Sequence, residues 1–304
     1  PVRLQGGKNG IRGNWLPCFL RNLAAARFFL VESEVVMVSD SCKKRFGKIM
    51  LEQMELLEQV EIAPNIFSML LKGQMVSQMQ AGQFLHIRVP DDSKLLRRPI
   101  SIAEIDCDNL TCRIIYRIEG GGTAIFSQLP VGSFLDVMGP QGNGFDLSPV
   151  RAGDHALIIG GGIGVPPLLE VAKDLHAKGA QVTAVLGFSD KSAVILEAEM
   201  KKYADVIVTT DNGSYGRKGY VSTVVDELSQ DYAAVYSCGA PAMLQYVDRK
   251  FQDHSHAYLS MESRMACGMG ACYACVVHVA GQDESVNKRV CEDGPVFETG
   301  TIIV

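Results

Sequence analysis

The tightest constraint on this chain lies near its C-terminus. Cys267, Cys272, Cys275 and Cys291 follow the spacing C-x4-C-x2-C-x15-C. This is the spacing of a [2Fe–2S] centre, in which two irons share four cysteine thiolates. Gly268 and Gly270 fall between the first two cysteines. They let the loop bend so that backbone N–H groups point at sulfur, which helps set a reduction potential. A structural zinc site usually takes two short C-x2-C pairs, and the x4 gap and lone fourth cysteine fit that poorly. The spacing therefore predicts a one-electron carrier, with metal ligands Cys267, Cys272, Cys275 and Cys291.

The length, 304 residues, suits two ordinary domains plus a cluster segment. A net charge of −5 without a basic stripe argues against nucleic acid as a partner. The other five cysteines (Cys18, Cys42, Cys107, Cys112 and Cys238) are scattered, which fits a reducing cytoplasm better than a disulfide framework. Trp15 to Val38 is partly apolar, but Arg21, Arg27, Glu32 and Glu34 interrupt it, so it does not read as a membrane span. It also lacks a signal-peptide cleavage motif. Residues 1–48 are expected to form an extension outside the core fold.

Residues 49–150 read as short strands separated by turn residues, over 60–62, 66–71, 84–89, 100–105, 112–118 and 134–138, with one short helix near 123–129. That pattern predicts an antiparallel β-barrel. From 151 to 258 the character changes. Strands at 156–159, 182–187, 206–210 and 233–238 alternate with helices at 166–178, 196–203, 221–228 and 241–251. Such alternation predicts an α/β doubly wound parallel sheet. Residues 259–304 form the small C-terminal cluster segment.

Four short motifs are candidate sites. Arg98-Pro99-Ile100-Ser101 opens a barrel strand, where a guanidinium fork and a hydroxyl suit a flavin and its diphosphate. A plain surface strand start would also produce it. Gly120-Gly121-Gly122-Thr123 follows a strand and opens a helix, as a phosphate seat does. A turn capped by Thr123 reads equally well. Gly160-Gly161-Gly162-Ile163-Gly164 joins a strand to a helix, the context of a dinucleotide site, although Val165 stands where a third spaced glycine belongs. Cys238-Gly239 ends the last strand of the sheet. Cys238 either faces a ligand there or fills the core.

The order of these motifs resembles the ferredoxin-reductase superfamily. Within it, residues 54–304 resemble the electron-transfer subunits of type B (NAD-dependent) dihydroorotate dehydrogenase. The resemblance implies FAD in the barrel, contacted by Arg98, Pro99, Ile100 and Ser101, by Ile115, Tyr116 and Arg117 along the ring and ribose, and by Gly122 and Thr123 at the diphosphate. It implies NAD over Gly160, Gly161, Gly162 and Gly164, with Cys238 and Gly239 near the nicotinamide. Asp190, after the second strand of the sheet, would repel a 2′-phosphate and favour NAD over NADP. Asn212 departs from the family's Asp-Asp-Gly-Ser at Asp211–Ser214.

The implied function is to pass electrons from a dihydroorotate-oxidising, FMN-containing partner through [2Fe–2S] and FAD to NAD+, in pyrimidine biosynthesis. The implied assembly is a cytoplasmic heterotetramer with two copies of each subunit. No catalytic residue is assigned to this chain, because the resemblance implies that the base for dihydroorotate belongs to the partner. The alternative is a flavin and iron–sulfur subunit of another NAD(P)H-dependent complex, such as a ferredoxin:NADP oxidoreductase, a sulfide dehydrogenase or an oxygenase reductase.

Overall fold

The structure is a computed structural model that describes residues 28–31, 34–37, 50–228 and 231–304. Two compact units emerge, residues 1–49 and residues 50–304. Of the first, the described part is an antiparallel pair, β1 (Phe28–Val31) and β2 (Glu34–Met37). The rest of the expected extension over 1–48 lies outside the described residues.

The second unit begins with six strands: β3 (Met50–Ala63), β4 (Ile66–Lys72), β5 (Phe84–Ile87), β6 (Arg98–Asp106), β7 (Thr111–Arg117) and β8 (Phe134–Gln141). They pair antiparallel and close in the order β3-β4-β7-β6-β5-β8. Closure leaves no exposed sheet edge. The barrel fills with inward side chains such as Met54, Leu56, Met69, Leu85, Ile87 and Ile114. A single short helix, α1 (Gly121–Phe126), follows β7.

A seven-stranded sheet comes next, with order β12-β11-β10-β9-β13-β14-β17. Its strands are β9 (His155–Gly161), β10 (Gln181–Phe188), β11 (Asp205–Thr210), β12 (Arg217–Lys218), β13 (Ala234–Cys238), β14 (Ala257–Ser260) and the antiparallel β17 (Val296–Glu298). Along β9, Ala156 and Ile158 join the core on one face, and Leu157 and Ile159 join the other. A continuous apolar run is what a strand covered on both faces needs.

The helices are α2 (Pro166–Ala177), α3 (Glu197–Met200), α4 (Val221–Val225) and α5 (Pro241–Phe251). Pro166 and Pro167 start α2, where the missing N–H groups would have had no helical partner. Arg249 and Lys250 sit in the last turn of α5, complementing the helix dipole. Two expected helices are shorter than the sequence pattern suggested. Leu196 takes a left-handed conformation (φ 59°) before α3, so that helix starts late and spans a single turn.

The chain's last part forms β15 (Val276–His278), paired with β16 (Asn287–Arg289), and then returns to the sheet as β17. A division at 258/259 therefore falls inside β14, and β17 adds to the sheet from beyond that boundary. Barrel and sheet are tied by Glu170 of α2, which is 4% exposed. Its carboxylate accepts the Ile105 N–H at 2.8 Å and a Lys173 N–H at 3.0 Å, while Lys173 Nζ donates to the Ile105 carbonyl at 2.7 Å. Among the described residues no helix is long and apolar enough to cross a membrane.

Candidate functional site

A cavity of about 1330 Å³ lies where barrel, sheet and C-terminal segment meet. The first strand of the sheet, β9, has β10 on one side and β13 on the other. The cavity opens at the carboxyl ends of these strands, the switch point where open α/β sheets bind ligands.

The barrel supplies one wall through Arg98, Pro99, Ile100 and Ser101 of β6 and Ile115, Tyr116 and Arg117 of β7. Arg97 points away from it. Its guanidinium donates to the Asp136 carboxylate and to the Asp136 carbonyl, each at 2.8 Å, and so fixes the start of β6. Arg98 lies against Gly122, and Lys94 against Gly121. Thr123 Oγ1 accepts the Glu119 N–H at 3.0 Å and the Gly120 N–H at 3.3 Å and donates to the Gly120 carbonyl, which shapes the glycine turn. Two cations over a glycine turn at a helix start are a chemically apt seat for a diphosphate.

The sheet supplies the opposite wall through Gly161, Gly162, Gly164 and Gly239. A Cβ on Gly164 would lie 2.5 Å from the Cys238 carbonyl carbon, so the turn after β9 approaches the end of β13 too closely for any other residue. Gly162 takes φ 52°. Two of the sequence-derived residues are not on the wall. Gly160 is buried beneath it, where a Cβ would lie 2.9 Å from Val165 and 3.2 Å from Leu168 and Leu186. Cys238 is 3% exposed in the core, and burial pushes its thiol up to about 12. Its alternating position on β13 aims the sulfur into the layer below, while its backbone and Gly239 face the turn.

Asp190 differs from expectation in the same way. Its carboxylate caps its own turn, accepting the Ser192 N–H at 2.8 Å and the Ser189 hydroxyl at 2.9 Å, and it does not line the cavity. The carboxylate that does line it is Asp211, after β11. The sequence motifs also missed Glu262 and Met265, which follow β14 on the third side of the cavity. Their position just past a strand's carboxyl end was the available signal. Glu262 is exposed to the cavity it lines. Desolvation raises its carboxyl above the usual range, the Glu119 charge adds to this, and the Arg117 charge opposes it.

Three of the four cysteines of the C-terminal segment lie on the loop before β15, and Cys291 follows β16 beside them. Met269 N–H donates to Cys267 Sγ at 3.4 Å, Gly270 N–H to Cys291 Sγ at 3.2 Å, and Cys291 N–H to Cys275 Sγ at 3.4 Å. Gly268 and Gly270 take φ 67° and 75°, the left-handed turns that aim those amides. The Cys272 thiol, exposed, is held down at about 7 by the backbone N–H groups of Cys267 and Ala274 and by the Cys267 thiol. Burial and the neighbouring Cys275 push Cys291 up to about 12. Among the described residues no three His, Cys, Asp or Glu side chains converge as a single-ion site. The Cys272 thiol is influenced by Cys267, and the Cys291 thiol by Cys275 and Cys267. Arg289 braces the loop, donating to the Gly270 carbonyl at 2.9 Å and pairing with Asp293 at 3.0 Å.

Comparison with known proteins matches this three-part site. Residues 53–145 match an oxidoreductase FAD-binding domain, 158–249 an oxidoreductase NAD-binding domain, and 262–303 the iron–sulfur cluster binding domain of dihydroorotate dehydrogenase B. A Streptococcus mutans protein named dihydroorotate dehydrogenase B (NAD(+)), electron transfer subunit, is 69% identical over 256 residues, 84% of this chain and 99% of that one. This chain belongs to that family. A Geobacillus thermodenitrificans electron transfer subunit of the same name is 46% identical over 83% of this chain and 98% of its own. Among solved structures, an NADH-dependent reduced ferredoxin-NADP oxidoreductase superposes with TM-score 0.73 at 28% identity, covering 83% of this chain and 90% of that one. The ferredoxin reductase of carbazole 1,9a-dioxygenase, at TM-score 0.58 and 19% identity over 68% and 67% of the two chains, shares the fold.

Proposed function

We propose that this electron transfer subunit carries electrons from a dihydroorotate-oxidising, FMN-containing catalytic subunit to NAD+, in a cytoplasmic complex with two copies of each chain. One observation carries the reading. The β6 and α1 residues, the glycine turn of β9 and the segment leading into the cysteine loop all face a single cavity.

When bound, FAD exchanges electrons in pairs with NAD and singly with the cluster. The chain's part is to hold and orient. Arg98, Gly122 and Thr123 hold the flavin diphosphate. Pro99, Ile100 and Ser101, with Ile115, Tyr116 and Arg117, seat its ring and ribose. Gly161, Gly162, Gly164 and Gly239 let the nicotinamide dinucleotide lie against backbone. Gly160 and Cys238 act from beneath, by close packing. Glu262 keeps a proton on its carboxyl at the cavity wall to a higher pH than a fully solvated glutamate would. Cys267, Cys272, Cys275 and Cys291 hold the cluster. In this reading 49–150 is the flavin part, 151–258 the NAD part and 259–304 the cluster part, with β17 returning to brace the NAD sheet.

The test is an anaerobic visible spectrum of the purified chain before and after NADH, followed by dihydroorotate-dependent NADH formation with the catalytic subunit. Flavin and iron–sulfur bands that bleach with NADH, and turnover with the partner, are expected. A colourless protein that takes up neither FAD nor iron and sulfide would overturn the reading. Bleaching by NADH without turnover would assign the chain to a different NADH-dependent complex.

A further inference from the structure

Strand β5 is buried on both faces. Leu85 and Ile87 point into the barrel, whereas Phe84 joins the apolar cluster of the C-terminal segment, with Met265, Cys275 and Cys291. By the alternation of a strand, His86 shares the outward face with Phe84. It is fully buried there, and neither ring nitrogen has a hydrogen-bond partner. Gln141, at the end of β8, is 1% exposed, and its side-chain oxygen is also unpartnered.

Both groups converge on one backbone position. A Cβ on Gly268 would overlap His86 Nδ1 and lie 2.9 Å from Gln141 Oε1. Gly268 follows Cys267 directly, on the loop whose amides already turn toward sulfur. A fully buried imidazole with no partner is costly and calls for one. Burial, with the Arg97 charge beside it, keeps this ring neutral, so it offers one N–H donor and one acceptor. The acceptors this loop would bring are the cluster's sulfurs.

We propose that His86 of the barrel donates a hydrogen bond to the sulfur edge of the [2Fe–2S] cluster at Cys267, with Gln141 fixing the seat of Gly268. A donor aimed at sulfur stabilises the reduced, more negative cluster and raises its midpoint potential. The flavin-binding barrel would thereby tune the cluster it exchanges electrons with. This inference rests on the four cysteines holding the cluster.

The test uses the full chain in complex with its catalytic subunit, as wild type and as His86→Leu, His86→Gln and Gln141→Leu. Iron and acid-labile sulfide are measured first, and then the cluster midpoint by a redox titration followed by electron paramagnetic resonance. The expected result is a lower midpoint in His86→Leu, partly restored in His86→Gln, and a smaller drop in Gln141→Leu. An unchanged midpoint in a His86→Leu protein with full iron overturns the inference alone. Wild type without iron overturns the cluster reading beneath it.

If His86→Leu does not assemble a cluster, wild type carrying isotope-labelled histidine decides the matter. Magnetic coupling from a histidine nitrogen to the reduced cluster, unaffected by His278→Gln, supports the hydrogen bond. Its absence overturns it.

Discussion

The guanidinium of Arg98 fills the space that a side chain on Gly122 would need. A Cβ built there would lie 2.5 Å from Nε and 2.7 Å from a terminal nitrogen. Gly122 is therefore the position that lets a cation from β6 reach the start of α1.

Gly122→Ala should displace Arg98 from the proposed diphosphate seat. Overpacking of this kind costs about 1–3 kcal/mol, which corresponds to FAD binding about 5- to 150-fold weaker. Titration of apoprotein with FAD, followed by flavin fluorescence, measures it. Gly120→Ala, where nothing lies within 4 Å of the added atom, should change the affinity little.

Cys272→Ser should abolish the cluster signal and the electron exchange with the catalytic subunit. The flavin's visible bands and their bleaching by NADH should survive, because the β6 and β9 walls of the cavity do not include this residue. Rapid mixing with NADH, together with iron analysis, separates the two effects. A variant that lost FAD along with iron would show that the loop also holds the flavin part together.

Cofactor choice should respond to Asp211 rather than to Asp190. Asp211→Ser removes a carboxylate from the cavity wall and should shift the ratio of kcat/KM for NADPH over NADH upward by about tenfold or more, since like charges brought together cost more than about 1.4 kcal/mol. Asp190→Asn should leave the ratio nearly unchanged, because that carboxylate is engaged by Ser189 and Ser192.

Glu262 should appear in the pH profile of flavin reduction by NADH. Its folded-state pKa is raised, so the protonated form persists above the usual carboxylate range and is lost as pH rises through the raised value. A rate that depends on that proton falls along the same limb. Glu262→Gln should remove the limb; a profile that keeps it assigns the titration to another group.

Glu170→Ala should destabilise the chain by about 3 kcal/mol, read by denaturant unfolding, because it leaves the Ile105 N–H and the Lys173 ammonium without their buried acceptor. Nothing in the local sequence marks this glutamate, since its partner lies 65 positions away.

The sequence disclosed what local spacing encodes. The cysteine intervals, the glycine turns and the switch from short strands to alternating strands and helices all survive in the structure, because each depends on neighbours a few residues apart. What it did not disclose depends on distant parts of the chain. Cys238 and Gly160 sit in the right motifs but face inward, which only the pairing of β9 with β13 determines. The return of β17 to the sheet pairs Leu259 with Phe297, across the whole cysteine loop. His86 looks like an ordinary polar residue on the outer face of a barrel strand until the C-terminal segment covers it.

Phe84, Leu85, His86 and Ile87 are all buried, two toward each of two cores. The barrel is therefore not a detachable module. Cutting away the cysteine loop would leave an aromatic ring and an unpaired imidazole in water on a strand that also lines the proposed flavin wall. A free-standing flavin domain made from this chain would first need that face recoloured with polar residues. Conversely, drift at Phe84 or His86 in a relative would reveal whether that relative still carries its loop in the same place.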